Sequence, residues 1–580
     1  MNREECGIVF RYRDFMDQSE RVRSPLIAVA VVLLLIMPLQ AQAAMVTGMT
    51  PYVQAVTQNN IYVMVECTTV GTVTVEYGPT TGYGSTATTV FYLQTTASPL
   101  TYVHRVKLTG LSPNTQYHYR ASQDGAWSND KAFYSAVEPG TPFKFAAYAD
   151  TRTYPVDHNG IAGLVKAQNP RFTILCGDPC DNSSYTSFKT EWFVSNELAL
   201  QATAPTYNST GNHETWGTNT QAFFQSPAST SATQAYYSFD YGDVHFVNIN
   251  CYTTYSVGST QYNWVAGDLA SSTKPWKIVF FHNPAYCCGD GHGEDATMIQ
   301  YSNNIFVPRN VDLVLTGHLH VYQHNLVSGI NHLVIGTAGA PFHVPCTPPK
   351  SYTILSAQQK HYAILDVTPT TLHMDVINSG GTVIDKLDLV KTVAAAKTKP
   401  DSTVVDIMSP SIVTHVPSEA KVFYVQDPDG ISGIRVETNG TKPAVGAKVL
   451  VRGKLATLAN GERAMQDAIV TNKVTGTTPA YGMPNRSVGG SAYVGTNTLG
   501  LSNQGLMVRV WGKVTKVSGN VFWIDDGSGV ASSEIDGTKG LKIIESGLTP
   551  GGVVKLAGVV ASEKVDGQLY RVIRYHESLP

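Results

Sequence analysis

Apolar and polar positions fall into three regimes along the chain. From about residue 46 to 138 the pattern is one of short runs. Residues 61–65 are apolar, while 73–77 and 103–108 alternate, with turn residues between them. Alternation with a period of two predicts half-buried strands, so this stretch reads as a small β-sandwich. Glu138-Pro139-Gly140-Thr141-Pro142 is a Pro/Gly linker that ends it. From 143 to 391 apolar strands (144–149, 172–176, 275–281, 311–315) alternate with helical spacing. Ile161, Leu164 and Val165 fall on one face of a helix over 158–168, and Phe188, Trp192 and Phe193 suggest another. That order predicts an α/β domain. From about 402 the chain is all-β again, in two units, 402–475 and 504–580, joined by a Gly/Ser/Asn-rich stretch over 487–503.

The two last units repeat each other. Phe423-Tyr424-Val425-Gln426-Asp427 parallels Phe522-Trp523-Ile524-Asp525-Asp526, and Val449-Leu450-Val451-Arg452-Gly453 parallels Val554-Lys555-Leu556-Ala557-Gly558. Hairpin turns follow at Asn460-Gly461 and Asp566-Gly567. Two small barrels explain the pattern, and they resemble OB-folds. In the first regime, Leu111-Ser112-Pro113-Asn114-Thr115-Gln116-Tyr117 resembles the tyrosine corner of fibronectin type III-like sandwiches.

A chain of 580 residues needs more than one core, which agrees with this division. A net charge of −3 gives no basic field for nucleic acid or an anionic membrane. Asp427, Asp429, Asp525 and Asp526 on the barrel turns argue against a nucleic-acid partner there; carbohydrate or surface contact, or a purely architectural role, suits them better. Arg21 and Arg23 precede an apolar run over 25–39 and then Ala41-Gln42-Ala43, which predicts a signal peptide over 1–43, removed on export. The run is short for a membrane span, so the mature chain is expected to be secreted or periplasmic with no span. After Cys6 is removed seven cysteines remain, and an odd count forbids complete internal pairing. Cys176 and Cys251 end apolar strands and read as buried thiols. Cys180, Cys287, Cys288 and Cys346 lie on loops and are the bridge candidates, with connectivity left open.

Chemistry enters through five short motifs, each placed directly after a predicted strand. They are Asp150-Thr151-Arg152, Gly177-Asp178, Gly211-Asn212-His213-Glu214, His282-Asn283-Pro284 and Gly317-His318-Leu319-His320. Residues just beyond strand C-termini converge on one crevice of an α/β sheet. Carboxylate, carboxamide and imidazole donors suit Fe, Mn or Zn. One carboxylate can bridge two such ions about 3.5 Å apart. Any one motif alone is an ordinary turn or a structural histidine; the five in order are not.

Together these motifs resemble the calcineurin-like metallophosphoesterases, and with the preceding sandwich their purple acid phosphatase-like branch, over roughly residues 50–390. The resemblance implies that the α/β domain is a β-sandwich flanked by helices and that it holds two metal ions. Asp150, Asp178 and His320 would hold the first, Asp178 would bridge, and Asn212, His282 and His318 would complete the second. His213 would orient phosphate or protonate the leaving oxygen. The implied function is a secreted, acid phosphatase-like phosphoesterase that cleaves phosphate esters with a metal-bridging hydroxide. A phosphodiesterase or nucleotidase, and a non-catalytic surface-binding protein on a decayed phosphoesterase fold, are the alternatives.

Two departures from the family pattern bear on this. Where many members have Asp-x-His this chain has Arg152, which cannot ligate; where the purple enzymes have a tyrosine it has Asp181. The first metal position is therefore one ligand short, with His158, Asp181 or water as replacements, His158 being favoured. Arg152 is itself a candidate catalytic residue, its planar fork suited to phosphate oxygens. Asn283 and His324 are candidate polar neighbours, and the Gly-rich loop over 287–293 a candidate wall or lid.

Overall fold

The computed structural model describes residues 45–227, 235–476, 479–490, 493–494, 502–548 and 550–579; the expected signal peptide lies outside them. Among the described residues no helix is long and apolar enough to cross a membrane.

The first domain is all antiparallel. Its strands run in the order Tyr52–Gln54, Asn60–Cys67, Tyr102–Thr109, Ser85–Gln94, Thr74–Gly78, Gln116–Gln123, Ala126–Trp127, with Lys131–Tyr134 also on Gln116–Gln123. Ser85–Gln94 pairs on both sides, with its first half on Thr74–Gly78 and its second on Tyr102–Thr109, and so joins the two layers. Tyr117 Oη accepts the Ser112 backbone N–H at 2.9 Å, closing the turn that precedes its strand.

The central domain is two sheets face to face. In the first, Phe143–Tyr148, Thr173–Leu175 and Thr206–Asn208 are parallel, and His361–Val367 continues the sheet antiparallel to Phe143–Tyr148. In the second, Val244–Asn248, Trp276–Phe280, Leu313–Thr316 and Ile330–Ile335 are parallel neighbours. The two-residue period of a strand explains the layering. Phe145, Ala147 and Ile174 meet Phe246, Ile278 and Leu315 between the sheets. Ala146, Tyr148 and Leu175 point the other way and cover Ile161 and Val165 of the helix Pro155–Ala167. Val247, Val279 and Val314 pack outward with Val265 and Leu269 of the helix Thr260–Ser271. Phe188–Trp192 forms a π-helical turn, followed by the helix Ser195–Gln201.

The first sheet does not stop at the C-terminal region. Val383–Val390 pairs in parallel with Val404–His415, so eleven strands run from the central domain into the next unit. There Val404–His415, Val422–Gln426, Gly433–Glu437, Arg463–Thr475 and Ala447–Thr457 close into a ring, because Ala447–Thr457 returns to Val404–His415. Met507–Ser518, Val521–Asp525, Leu541–Ile544, Gln568–Ser578 and Val553–Val565 close in the same order. The repeated sequence segments occupy the second and fourth strands, in chain order, of each ring.

The first domain is fastened to the central one by buried hydrogen bonds. Tyr52 Oη donates to Phe223 O at 2.8 Å, Tyr119 Oη to Ala202 O at 2.9 Å, and Tyr207 Oη to Val56 O at 3.0 Å. Glu66, fully buried, accepts from Thr101 and Tyr185 hydroxyls at 2.7 Å and from Lys189 Nζ at 2.8 Å.

Candidate metal centre

The parallel strands of both sheets release their chains at one edge. Asp150 follows Phe143–Tyr148, Asp178 follows Thr173–Leu175, Asn212 follows Thr206–Asn208, His282 follows Trp276–Phe280 and His318 follows Leu313–Thr316. Asp150, Asp178 and His318 all have positive φ, at 55°, 57° and 69°. Three non-glycine residues in the left-handed region at one edge mark backbone held against its preference. The neighbouring glycines leave no room for a side chain. A Cβ on Gly177 would stand 2.4 Å from His282 Nδ1, and one on Gly317 2.4 Å from Asp150 Oδ2.

One set of donor atoms is compact. His282 Nε2 is 3.1 Å from Asn212 Oδ1 and 3.5 Å from Asp178 Oδ2, and His318 Nδ1 is 3.0 Å from Asn212 Oδ1 and 3.2 Å from His282 Nε2. His282 Nδ1 donates to Cys176 O at 2.7 Å, so it is Nε2 that faces the others and offers them a lone pair once a metal displaces its proton. Lone pairs of a carboxylate, a carboxamide and imidazoles that converge at these distances are satisfied together by a cation. Burial alone would depress His282, but the Asp178 and Asp150 carboxylates lift it to about 10. Burial, with His282 and His292 alongside, pushes His318 down to about 2, which keeps that ring neutral and able to ligate.

The second set is Asp150, Asp178 and His320, all buried, with one donor atom each within 4.8 Å of one another. His320 Nδ1 donates to Pro341 O at 2.7 Å, leaving the Nε2 lone pair 3.4 Å from Asp150 Oδ1, which has no hydrogen-bond partner. Asp150 Oδ2 accepts the His318 N–H at 2.9 Å. These three offer a metal ion one donor fewer than the first set. Asp178 belongs to both sets.

Arg152 lies against this second set. Its Nε is 3.4 Å from Asp178 Oδ2, Nη2 is 3.4 Å from His320 Nε2, and Nη1 donates to Asp181 Oδ1 at 3.0 Å. His213 donates its backbone N–H to Asp178 Oδ1 at 3.1 Å, and its Nδ1 donates to Asp181 O at 2.7 Å. That turns Nε2, 3.8 Å from Asp178 Oδ2, toward the donor cluster. Glu214 is buried behind the loop and accepts the Gly211 N–H at 2.6 Å; burial and nearby Asp178 push its carboxyl well up.

The structure thus brings Asp150, Arg152, Asp178, Asn212, His213, His282, His318 and His320 together. It removes His158 as a replacement ligand. Both ring nitrogens are engaged, Nδ1 with Glu191 O at 2.7 Å and Nε2 with Glu197 Oε2 at 3.3 Å, and the ring stacks on Trp192. His324 is likewise spent, on Asp385 and Asn331 at 2.8 Å each. Asn283 is linked to the cluster through Tyr252, whose hydroxyl bonds Asn283 Oδ1 and lies 3.5 Å from Asn212 Oδ1.

Two histidines near the centre have roles that the motifs do not reveal. His292 stacks on His318 with centroids 3.7 Å apart, and His343 stacks on His320 at 4.1 Å and accepts its backbone N–H at 3.0 Å. The loops that carry them are joined by a Cys288–Cys346 disulfide. The expected bridge candidates Cys180 and Cys287 are instead buried free thiols. Cys180 Sγ donates to Asn182 O at 3.2 Å, and Cys287 packs among Leu319, Val321 and Val334.

Residues 144–322 match the family profile described as calcineurin-like phosphoesterase, and 51–135 match that of the purple acid phosphatase N-terminal domain. Among relatives, purple acid phosphatase 21 of Arabidopsis thaliana is 29% identical over 238 residues, 38% of this chain and 53% of that protein. An uncharacterized Mycobacterium tuberculosis protein is 27% identical over 362 residues, 54% of this chain and 65% of its own. The chain spans about half the length of the Arabidopsis relatives it matches. In fold, the purple acid phosphatase PPD1 from yellow lupin seeds superposes with a TM-score of 0.53 at 19% identity, covering 60% of this chain and 74% of that one. The chain therefore carries a calcineurin-like metallophosphoesterase domain set behind a purple acid phosphatase N-terminal domain.

Proposed function

We propose that this protein is an exported, metal-dependent phosphoesterase whose centre is built from Asp150, Asp178, Asn212, His282, His318 and His320. The observation that carries this reading is the convergence of Asp178 Oδ2, His282 Nε2, Asn212 Oδ1 and His318 Nδ1, each 3.0–3.5 Å from the next in that order. A transition metal held there would polarise the phosphoryl group and acidify water.

The chain's own residues do the rest. Cys176 O and Pro341 O lock the tautomers of His282 and His320, so each presents a lone pair without rotating. Arg152 offers a fixed guanidinium beside the donors, suited to a phosphate's non-bridging oxygens. His213, held through Nδ1, points Nε2 inward, where it can orient the phosphate or pass a proton to the leaving oxygen. Export is supported by the charged, apolar and small-residue order of residues 21–43 and by the Cys288–Cys346 disulfide. The Tyr117 to Ser112 bond supports a fibronectin III-like first domain, and the two ring closures support OB-like C-terminal units with an architectural role.

The test is a panel of p-nitrophenyl phosphate, its bis ester and nucleotides, assayed with purified protein alongside elemental analysis. Bound transition metal and turnover are expected, with His213→Ala inactive yet metal-loaded and Asp178→Asn losing both. Metal-free protein without turnover on any ester would leave the surface-binding reading in place. Arg152→Lys is expected to weaken phosphate inhibition while metal content holds; loss of metal instead would remove its phosphate role.

A further inference from the structure

We infer that the Arg152 guanidinium takes the place of one of the two metal ions, so that the centre holds a single tightly bound ion at Asp178, Asn212, His282 and His318. The arginine then serves as its second positive charge. This rests on the phosphoesterase reading above.

The two positions are unequal in donors. The Asn212 side gathers four donor atoms, and the Asp150 side three, of which Asp178 is shared. The position where many family members carry a fourth ligand on the Asp150 side holds Arg152, and a guanidinium neither ligates nor loses its proton. It also faces the donors a metal would need. Nε sits 3.4 Å from Asp178 Oδ2 and Nη2 3.4 Å from His320 Nε2, whose lone pair is the one left free by the Pro341 bond.

This placement is built rather than incidental. Nη1 is held by Asp181 Oδ1 at 3.0 Å and by Thr153 Oγ1 at 3.1 Å, and Thr153 Oγ1 in turn donates to Asp181 at 2.7 Å. Glu191 Oε2 then fixes both loops, accepting the Thr153 N–H at 2.9 Å and the Asp181 N–H at 3.0 Å. The side chain is 13% exposed, so solvent screens it little.

The guanidinium also already brings a positive charge to within 3.4 Å of Asp178 Oδ2, the carboxylate that both positions share, so a second cation on the Asp150 side would be set beside it. Asp181 thus serves as the anchor that positions the arginine, which gives this position a use other than metal ligation.

The experiment uses the full chain, stripped with a chelator and titrated with Mn(II). Elemental analysis after dialysis gives stoichiometry, and electron paramagnetic resonance distinguishes an isolated Mn(II) from a spin-coupled pair. One ion per chain with an isolated-ion spectrum is expected, a second equivalent binding roughly a hundredfold more weakly. Arg152→His, which adds an imidazole and removes the fixed charge, is expected to take two ions and show coupling; Arg152→Lys is expected to stay at one. Two tight ions with a coupled spectrum in the unaltered protein would overturn the inference whether or not the variant folds. So would an Arg152→His protein of unchanged melting temperature that still binds one. Zero ions in the unaltered protein would overturn the phosphoesterase reading itself, a different failure.

Discussion

Gly211 offers a sharp steric test of the centre. A Cβ built on it would lie 2.0 Å from Asp178 Oδ1, 2.6 Å from Asp178 N and 2.9 Å from Asp178 Cγ. To reach an ordinary contact of 3.4 Å the carboxylate would have to retreat by about 1.4 Å. Little in the surroundings can yield. Asp178 sits at φ 57°, its carbonyl accepts the Thr151 N–H at 3.0 Å, and its Oδ1 accepts the His213 N–H at 3.1 Å. In Gly211→Ala the shared carboxylate and the Asn212-His213 turn must therefore move apart. Overpacking of this kind costs about 1–3 kcal/mol of stability. Misplacing a reacting group by about 1 Å costs on the order of a hundredfold in turnover. Metal affinity is expected to fall by about 10–100-fold, as when a ligand loses its support. Turnover on p-nitrophenyl phosphate, Mn(II) titration and thermal melting of the variant read all three. A folded Gly211→Ala protein with unaltered turnover and metal affinity would refute the claim that Asp178 and the Asn212 turn are locked at contact distance.

Three further outcomes follow from other parts of the molecule. Reducing the Cys288–Cys346 bridge, or Cys346→Ser, opens a link across 58 residues worth about 4 kcal/mol by loop-closure entropy and frees the loops bearing His292 and His343; the expected result is lower turnover with faster proteolysis at 288–293, and unchanged proteolysis would contradict it. Glu66→Ala strands Lys189 at the joint between the first two domains and should cost about 3–5 kcal/mol in denaturant unfolding, much of it recovered by adding Lys189→Met; equal losses in the single and double variants would count against the ion pair. His245, between Asp240 at 2.7 Å and Asp268 at 2.9 Å, has burial working against its charge but is lifted by those carboxylates to about 9. Its folded pKa is above the unfolded 6.5, so its stabilisation, on the order of 1 kcal/mol after screening at half-exposed Asp240, is fully present below about pH 6.5 and lost as pH rises through about 9. Melting temperatures at pH 6 and 10 should differ less in His245→Gln than in the unaltered chain; an equal difference would contradict the assignment.

Much of the centre was legible because parallel sheets turn sequence order into position. A motif that directly follows an apolar strand must emerge at the carboxyl edge, so Asp150, Asp178, Asn212, His282 and His318 could be placed together although 168 residues separate the first from the last. What stayed hidden depends on loops and on partners distant in sequence. His292 and His343 belong to no strand-end motif and arrive through a disulfide whose pairing the spacing does not encode. His158 looked available because it opens a helix after the first motif, yet its ring is consumed by Glu191, Glu197 and Trp192, which come from a later π-helical turn and helix. The continuous sheet across the 391–402 joint was also illegible, since the pairing of Val383–Val390 with Val404–His415 is set by neighbours on both sides rather than by either strand's own pattern.

The donor atoms gathered around Asp178 are the core of the proposed chemistry. The most direct measurement is turnover of p-nitrophenyl phosphate by one protein sample as purified, after chelation, and after Mn(II), Fe(II) or Zn(II) is restored. Activity should vanish with the metal and return with it, while circular dichroism stays native throughout. Full turnover in chelated protein, or none in the metal-loaded form across mono- and diesters, would contradict it.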